Sequence, residues 1–405
     1  MAIKTPIFED STGNSHLHTL WIDNFRFISF GAEQRKSDVI GILNLYQINP
    51  ISSKGSFQCV FRHSIHKLPS SSLRLHRLLS PYDKGGTGRK ECIFLMTTIH
   101  SVSYITISWN SIHDRSPLPS KHSLKSLESI DYKISVQTVP LVSSTLQIKA
   151  SVVLKVDEHG TFMLLGLPSS LRVVFLPWDD SRVVIEDIKV DLKIGESISD
   201  IFCSKAIIND SILFSILISS PAPNNHIFIG GCRFAKEMPY KTGLMSISAI
   251  NKIECDVCSI PIPFPTKLMF WNNSLTKKLF YLTIIGSSGE LLCLGISNSV
   301  GDKAVCPKSD VCRFNIVQRC FIEKFVASTP YATHSIPNSG NACIFGNGVI
   351  QFINVIKKIH KGRILAKNMA TPKKYSFVSS LDTSPDGKCV CFSDVSGICG
   401  VFELL

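Results

Sequence analysis

The sequence predicts an all-β protein assembled from repeats. Amphipathic helical spacing is almost absent along its 405 residues. Short runs of β-branched and aromatic residues dominate instead, separated by Gly, Pro, Ser and Asn, which is the pattern of many short strands. One unit also recurs: a strand, a polar turn, then a strand rich in Ile, Val and Phe. A period of this kind governs the whole fold.

The recurrent hairpin falls at Arg26–Ile48 (RFISFGAEQRKSDVIGILNLYQI), Cys92–Trp109, Thr161–Trp178 (TFMLLGLPSSLRVVFLPW) and Ser211–Phe234. It returns at Lys278–Ile296 (KLFYLTIIGSSGELLCLGI), Ala342–Ile356 (ACIFGNGVIQFINVI) and Lys388–Leu404 (KCVCFSDVSGICGVFEL). Seven such hairpins spread over the chain predict seven copies of one supersecondary unit. Hydrophobic residues make up 44% against 18% charged, which excludes disorder for the bulk of the chain. The 24 Gly and 20 Pro are ordinary and exclude collagen-like and low-complexity readings.

The last copy carries the most information. Leu381-Asp382-Thr383-Ser384-Pro385-Asp386-Gly387-Lys388 precedes it and Val401-Phe402-Glu403-Leu404 closes it. This resembles the WD-repeat pattern, in which a Ser-Pro-Asp-Gly-Lys turn joins the first two strands of a blade and the third ends in Val-Trp-Asp-Leu. Phe402 stands in for the Trp and Glu403 for the Asp. Val153–Leu176 repeats the theme around Asp157-Glu158-His159-Gly160. At both turns glycine is expected to supply a positive φ. The resemblance is degenerate: there is no Gly-His dipeptide, and Trp178-Asp179 is the one Trp-Asp. The Asp-His-Ser-Trp network of regular WD blades is therefore not expected.

The resemblance implies a seven-bladed β-propeller spanning residues 1–405 as a single unit. Six or eight blades, or a kelch-like ring, are the alternatives. The blades fall at about 13–62, 63–140, 141–193, 194–253, 254–318, 319–370 and 371–405. Asp187–Ile194, Met245–Ile253 and Arg313–Gln318 read as outer strands. The chain stops after the third strand of the last blade, so Ile3–Phe8 is the expected donor of the fourth, closing the ring and removing its sheet edges. Polar loop inserts are expected at about 62–90 and 110–139.

Fourteen cysteines, many of them lone and flanked by apolar residues, fit small buried thiols in a reducing compartment. The N-terminus lacks an apolar signal segment, and the apolar run near Ile212–Ile218 is far short of the ~20 residues of a membrane helix. An intracellular, soluble protein is expected, so the sequons at Asn209 and Asn272 are chance matches.

No motif marks an enzyme. Lys84-Gly85-Gly86-Thr87-Gly88-Arg89-Lys90 is not a phosphate loop, because Arg89 occupies the glycine position and Glu91 the hydroxyl position. Cys255-x-x-Cys258 lacks the second pair that zinc wants, so it reads as two thiols in a loop between the fourth and fifth blades. His16 and His18 lack a third ligand. Asp179-Asp180, and Glu128 with Asp131, read as surface carboxylates. No catalytic residue, metal, cofactor or small-molecule substrate is expected. The Arg-Arg-Gly motif of phosphoinositide-binding propellers is absent, which argues against a membrane partner. Trp21, Trp109, Trp178 and Trp271 sit near strand ends and are expected to pack between blades.

The 43 Lys and Arg against 31 Asp and Glu leave a net charge of +12. Two basic stretches stand out. One contains Arg62, Lys67, Arg74, Arg77, Arg89 and Lys90. The other contains Lys357, Lys358, Lys361, Arg363, Lys373 and Lys374. Adjacent in a closed ring, they would form one positive sector for an acidic partner or RNA, with salt-sensitive affinity. Solvated loops are the plainer reading. Aromatic interleaving is sparse, which argues against single-strand stacking.

Two functions are carried forward. The first is a non-catalytic scaffold binding other protein subunits of an intracellular complex. Within that class, Leu20-Trp21-Ile22-Asp23, Phe27-Ile28-Ser29-Phe30-Gly31 and Ser379-Ser380-Leu381-Asp382 with Cys389-Val390-Cys391 are faintly similar to the small WD-repeat nucleoporins of the outer ring of the nuclear pore. That similarity implies a nuclear or nuclear-envelope location. The second is an RNA-associated subunit of a ribosome-biogenesis or RNA-modification complex. A metal-dependent enzyme using Cys255 and Cys258 is the third and weakest.

Overall fold

The computed structural model describes residues 8–11, 15–35, 38–48, 57–65, 72–83, 89–110, 132–142, 146–156, 159–178, 183–208, 211–220, 225–233, 254–262, 266–273, 280–296, 314–323, 330–335, 341–346, 349–354, 363–365, 367–370 and 378–403. These residues form β-strands and connections. None of their elements is a helix long and apolar enough to cross a membrane.

After β1 (Phe8–Ser11) the strands follow in successive antiparallel groups. The first group is β2 (Ser15–Trp21), β3 (Arg26–Arg35), β4 (Asp38–Ile48) and β5 (Phe57–Ile65). The second is β6 (Ser72–Asp83), β7 (Arg89–Thr98), β8 (Ser101–Asn110) and β9 (Lys133–Pro140). The third is β10 (Ala150–Val156), β11 (Gly160–Gly166), β12 (Ser170–Pro177) and β13 (Val184–Lys189). The fourth is β14 (Ser197–Ile208), β15 (Ser211–Ser219), β16 (Asn225–Arg233) and β17 (Glu254–Ile262).

In the fifth, β18 (Thr266–Asn273), β19 (Phe280–Gly286), β20 (Glu290–Ile296) and β21 (Phe314–Glu323) pair in order. The sixth has β22 (Pro330–Ser335), β23 (Asn341–Gly346) and β24 (Val349–Asn354). The chain then lays β25 (Arg363–Leu365) parallel along the edge of β21 before β26 (Lys367–Ala370) completes the sixth sheet. The last group is β27 (Val378–Thr383), β28 (Cys389–Asp394) and β29 (Ile398–Glu403). Its fourth strand is β1, which pairs antiparallel with β29 through Phe8↔Val401 and Ser11↔Ile398. The donor strand is thus N-terminal, as expected, but begins where Ile3–Phe8 was to end; residues 3–7 lie outside the described residues.

Every hairpin read from the sequence forms the second and third strands of its sheet. The reason is burial. Phe162, Met163, Leu164 and Leu165 on β11, and Val173, Val174, Phe175 and Leu176 on β12, are all buried. A strand covered on both faces reads as a continuous apolar run. Outer strands are weaker signals and were displaced. The fourth sheet ends in β17, nine residues beyond the expected Met245–Ile253, which lies outside the described residues. The third ends in β13, starting at Val184 and not Asp187, and β21 runs on to Glu323. The expected insert at 62–90 is largely strand: β5 reaches Ile65 and β6 spans Ser72–Asp83. Of the stretch 110–139, residues 111–131 lie outside the described residues and Lys133 onward is β9.

The described chain divides into two compact units. The first comprises Met1–Ser143 with Tyr375–Leu405, the second Ser144–Lys374. Within the first unit, β2 lies beside β27 on one side and β6 on the other. Within the second, β10, β14, β18 and β22 adjoin in succession. Cores form where neighbouring sheets face each other. Ile28, Leu43 and Leu45 meet Phe94, Met96 and Ile105 in the first unit. Phe162, Leu164 and Phe175 meet Ile201, Phe214 and Ile216 in the second.

The two glycine turns behave differently. Gly387 has φ 70°, as the Ser-Pro-Asp-Gly-Lys turn demands. Ser384 organises that turn: its hydroxyl donates to Asp386 Oδ1 (2.6 Å) and accepts from Cys389 N–H (2.9 Å). Ser384→Ala is therefore expected to leave the Cys389 amide without its acceptor, at a cost of about 1–3 kcal/mol. The urea midpoint of the variant checks this. Gly160 does not take the positive φ expected of it; close approach is what excludes a side chain there. A Cβ would meet the Leu176 carbonyl oxygen and come within 2.6 Å of the Phe175 ring.

Candidate functional site

Six of the twelve basic residues fall among the described residues, each in a strand. Arg62 is exposed on β5, and its guanidinium lies 3.9 Å from Glu33 Oε2. Arg74 and Arg77 are half-buried on β6, and Arg77 Nη1 donates to the Trp21 carbonyl at 2.9 Å. Arg89 opens β7, and its Nη2 donates to Ser108 Oγ at 2.6 Å. Lys90 follows, half-buried and paired in register with Asp83 and Trp109. Arg363 lies in β25, its backbone paired with Phe321. Lys67, Lys357, Lys358, Lys361, Lys373 and Lys374 fall outside the described residues.

The first stretch is not a single charged loop. Its described residues lie on β5, β6 and the start of β7, and Arg77 and Arg89 are hydrogen-bonded within the fold. The second stretch belongs to the other compact unit. The alternation of Leu73 and Leu75 with Arg74 and His76 was the available signal that this segment is a strand; its charge obscured it.

A set of polar contacts joins the first and last sheets; the sequence predicted that Trp21 packs between blades but not these hydrogen bonds. Trp21 N–H donates to Asp382 Oδ2 at 2.8 Å, and Trp21 Nε1–H donates to the Asp382 carbonyl at 3.2 Å. Thr19 N–H donates to Ser380 Oγ at 3.2 Å, and Asp386 N–H donates to Asn24 Oδ1 at 3.1 Å. Around the Trp21 ring, Phe27 and Phe57 have centroids at 5.5 and 5.7 Å. On the other side of β2, the buried Arg26 pairs with Asp23 (3.2 Å) and lies 5.0 Å over the Trp109 ring. Phe25, at the tip of the same turn, is 62% exposed. Asp23 Oδ1 fixes that tip by accepting from Phe25 N–H at 2.8 Å. The result is a rigid, wedged turn with one aromatic side chain presented outward.

In the second unit, His226 Nε2 lies 3.4 Å from Glu196 Oε2, both side chains buried. Glu196 also accepts from Lys193 N–H at 2.8 Å, bracing the turn ahead of β14. On its surface, Arg172 forms two bonds to the Asp187 carboxylate, at 2.6 and 2.8 Å, and that contact raises the guanidinium pKa further.

Four of the described cysteines are held away from thiolate chemistry. Burial pushes Cys293 up to about 12 and Cys389 up to about 11. Burial also raises Cys92 and Cys391, the latter with help from the Asp382 carboxylate. Cys255 and Cys258 lie in β17, not in a loop, and are three positions apart, so alternation puts them on opposite faces of the sheet. Among the described residues there is no group of three or more His, Cys, Asp or Glu placed to hold a metal ion.

Successive antiparallel sheets, four-stranded except the fifth, which adds β25 in parallel at its edge, support a β-propeller. No known family model matches the sequence, and no curated protein matches it. Among solved structures, the chain is similar to the Dos1 propeller, at 6% identity and a TM-score of 0.49, over 99% of this chain and 95% of that one.

Proposed function

We propose that the chain is a single seven-bladed β-propeller, closed by its own N-terminal strand, that acts as a non-catalytic scaffold for protein–protein contacts in a larger intracellular assembly. The observation that carries this reading is the repeated sheet itself, with its buried middle strands; connections between strands are where partner-binding groups are usually presented. The pairing of β1 with β29 supports closure. The wedged turn bearing Phe25 is the kind of rigid aromatic display that anchors a partner. Burial raises the Cys293 and Cys389 thiols, which supports a reading in which neither is a nucleophile.

The faint similarity of Leu20–Asp23 and Ser379–Cys391 to small WD-repeat nucleoporins makes a nuclear pore subcomplex, at the nucleus or nuclear envelope, the assembly of choice. The test is purification of the tagged protein from its own cells at moderate salt. A fixed set of proteins is expected to stay bound. Recovery of RNA and ribosomal particles at low salt, lost as salt rises, would replace this reading with the RNA-associated one.

A further inference from the structure

We infer that Cys232 and Cys255 form a reversible cross-strand disulfide, a redox modification site joining the third and outer strands of the fourth sheet. The register of β16 and β17 is unbroken over nine residue pairs, from Asn225↔Ile262 to Arg233↔Glu254, and it sets Cys232 directly opposite Cys255. Directly opposed residues of an antiparallel pair have Cα atoms about 4.5–5.5 Å apart. A disulfide needs roughly 4.4–6.8 Å, so the usual spacing of directly opposed residues falls within its range. Among the described ladders this is the one place where two cysteines are opposed. Cys391 and Cys399, on adjacent strands, are offset: Cys391 faces Val401 and Cys399 faces Ser393. Cys258 faces Ile229.

Position adds to register. The pair sits one residue in from the end of the ladder, where β16 leaves and β17 returns. Cys232 is wholly buried, in the core between the third and fourth sheets. The chemistry needs peroxide at one sulfur only. Hydrogen peroxide transfers one oxygen to the Cys255 thiolate, breaking the O–O bond and leaving a sulfenic acid and, once protonated, water. The Cys232 sulfur, the resolving thiol, then attacks the sulfenic sulfur. The S–S bond forms, the S–O bond breaks and a second water leaves. Two thiols are oxidised by two electrons and one peroxide is reduced to two waters. A thiol reductant reverses the step. In a reducing compartment such a bond is transient, which suits a sensor of oxidising conditions.

The experiment uses the full-length protein, reduced and then exposed to hydrogen peroxide. Remaining thiols are capped with N-ethylmaleimide, and the unreduced digest is read by mass spectrometry. Trypsin cuts after Arg233 and Lys252, so the two cysteines fall on separate peptides. The expected result is a linked Cys232–Cys255 peptide that disappears with dithiothreitol and in Cys255→Ser, but persists in Cys258→Ser. The oxidised wild type should also melt at a higher temperature than the reduced form. Recovery of both cysteines singly capped from the peroxide-treated wild type, or of Cys255 linked to any other thiol, would overturn the assignment.

Discussion

Replacing Trp21 by alanine is expected to destabilise the protein by about 3–5 kcal/mol, the usual cost of removing a fully buried tryptophan. Trp21 is wholly buried among Phe27, Tyr46, Phe57 and, from the last sheet, Cys391, Cys399 and Val401. Alanine would open a cavity between the first and last sheets that the stacked Phe27–Tyr46 pair, 4.8 Å apart, cannot collapse to fill. The indole donor to the Asp382 carbonyl is also lost, whereas the main-chain bond to the Asp382 carboxylate remains available. Trp21→Phe should therefore cost clearly less than Trp21→Ala. Denaturant unfolding of the two variants, followed by far-UV circular dichroism, gives both values. A cost below about 1 kcal/mol for the alanine variant would mean that the first and last sheets do not meet at this residue.

Gly160→Ala is the second large effect, expected at about 3 kcal/mol, the upper end of the usual overpacking range. The new methyl group has nowhere to go. It meets the Leu176 carbonyl, a backbone atom of the paired strand, as well as the Phe175 ring at 2.6 and 2.8 Å. That ring is itself wedged against Phe162 at 4.6 Å. Gly166→Ala, six residues along the same strand, is the control. Its methyl meets side-chain atoms of Ile198 and Ile201, at 2.7 and 3.2 Å, and these have more freedom to give. The melting temperature of Gly160→Ala should therefore fall further than that of Gly166→Ala.

The middle strands were legible in the sequence because burial on both faces leaves little choice but Ile, Leu, Val and Phe, as in Thr161–Leu176. The edges were not. On β13, Ile185, Asp187 and Lys189 are exposed and Val184 is the one fully buried residue, so its composition is close to that of a loop. The strand β6 was hidden by its own charge. Arg74, His76 and Arg77 read as a solvated insert, although Arg77 is committed to the Trp21 carbonyl. Gly160, read as a turn glycine, instead opens β11, where the paired strand crowds it, and such crowding leaves no local trace in the sequence. The Trp21–Asp382 contact joins residues 361 positions apart, and no local pattern announces it. Most of the polar construction around Asp23, Arg26 and Trp109 escaped for the same reason.

The central claim, that this chain is a scaffold subunit of a larger assembly, is tested most directly by the size at which it migrates in native extract. Size-exclusion chromatography at moderate salt, with and without ribonuclease, is the measurement. The account predicts elution far above the 44.8 kDa of the single chain, unchanged by ribonuclease. Elution at the mass of the single chain, or collapse to it once RNA is digested, would contradict it.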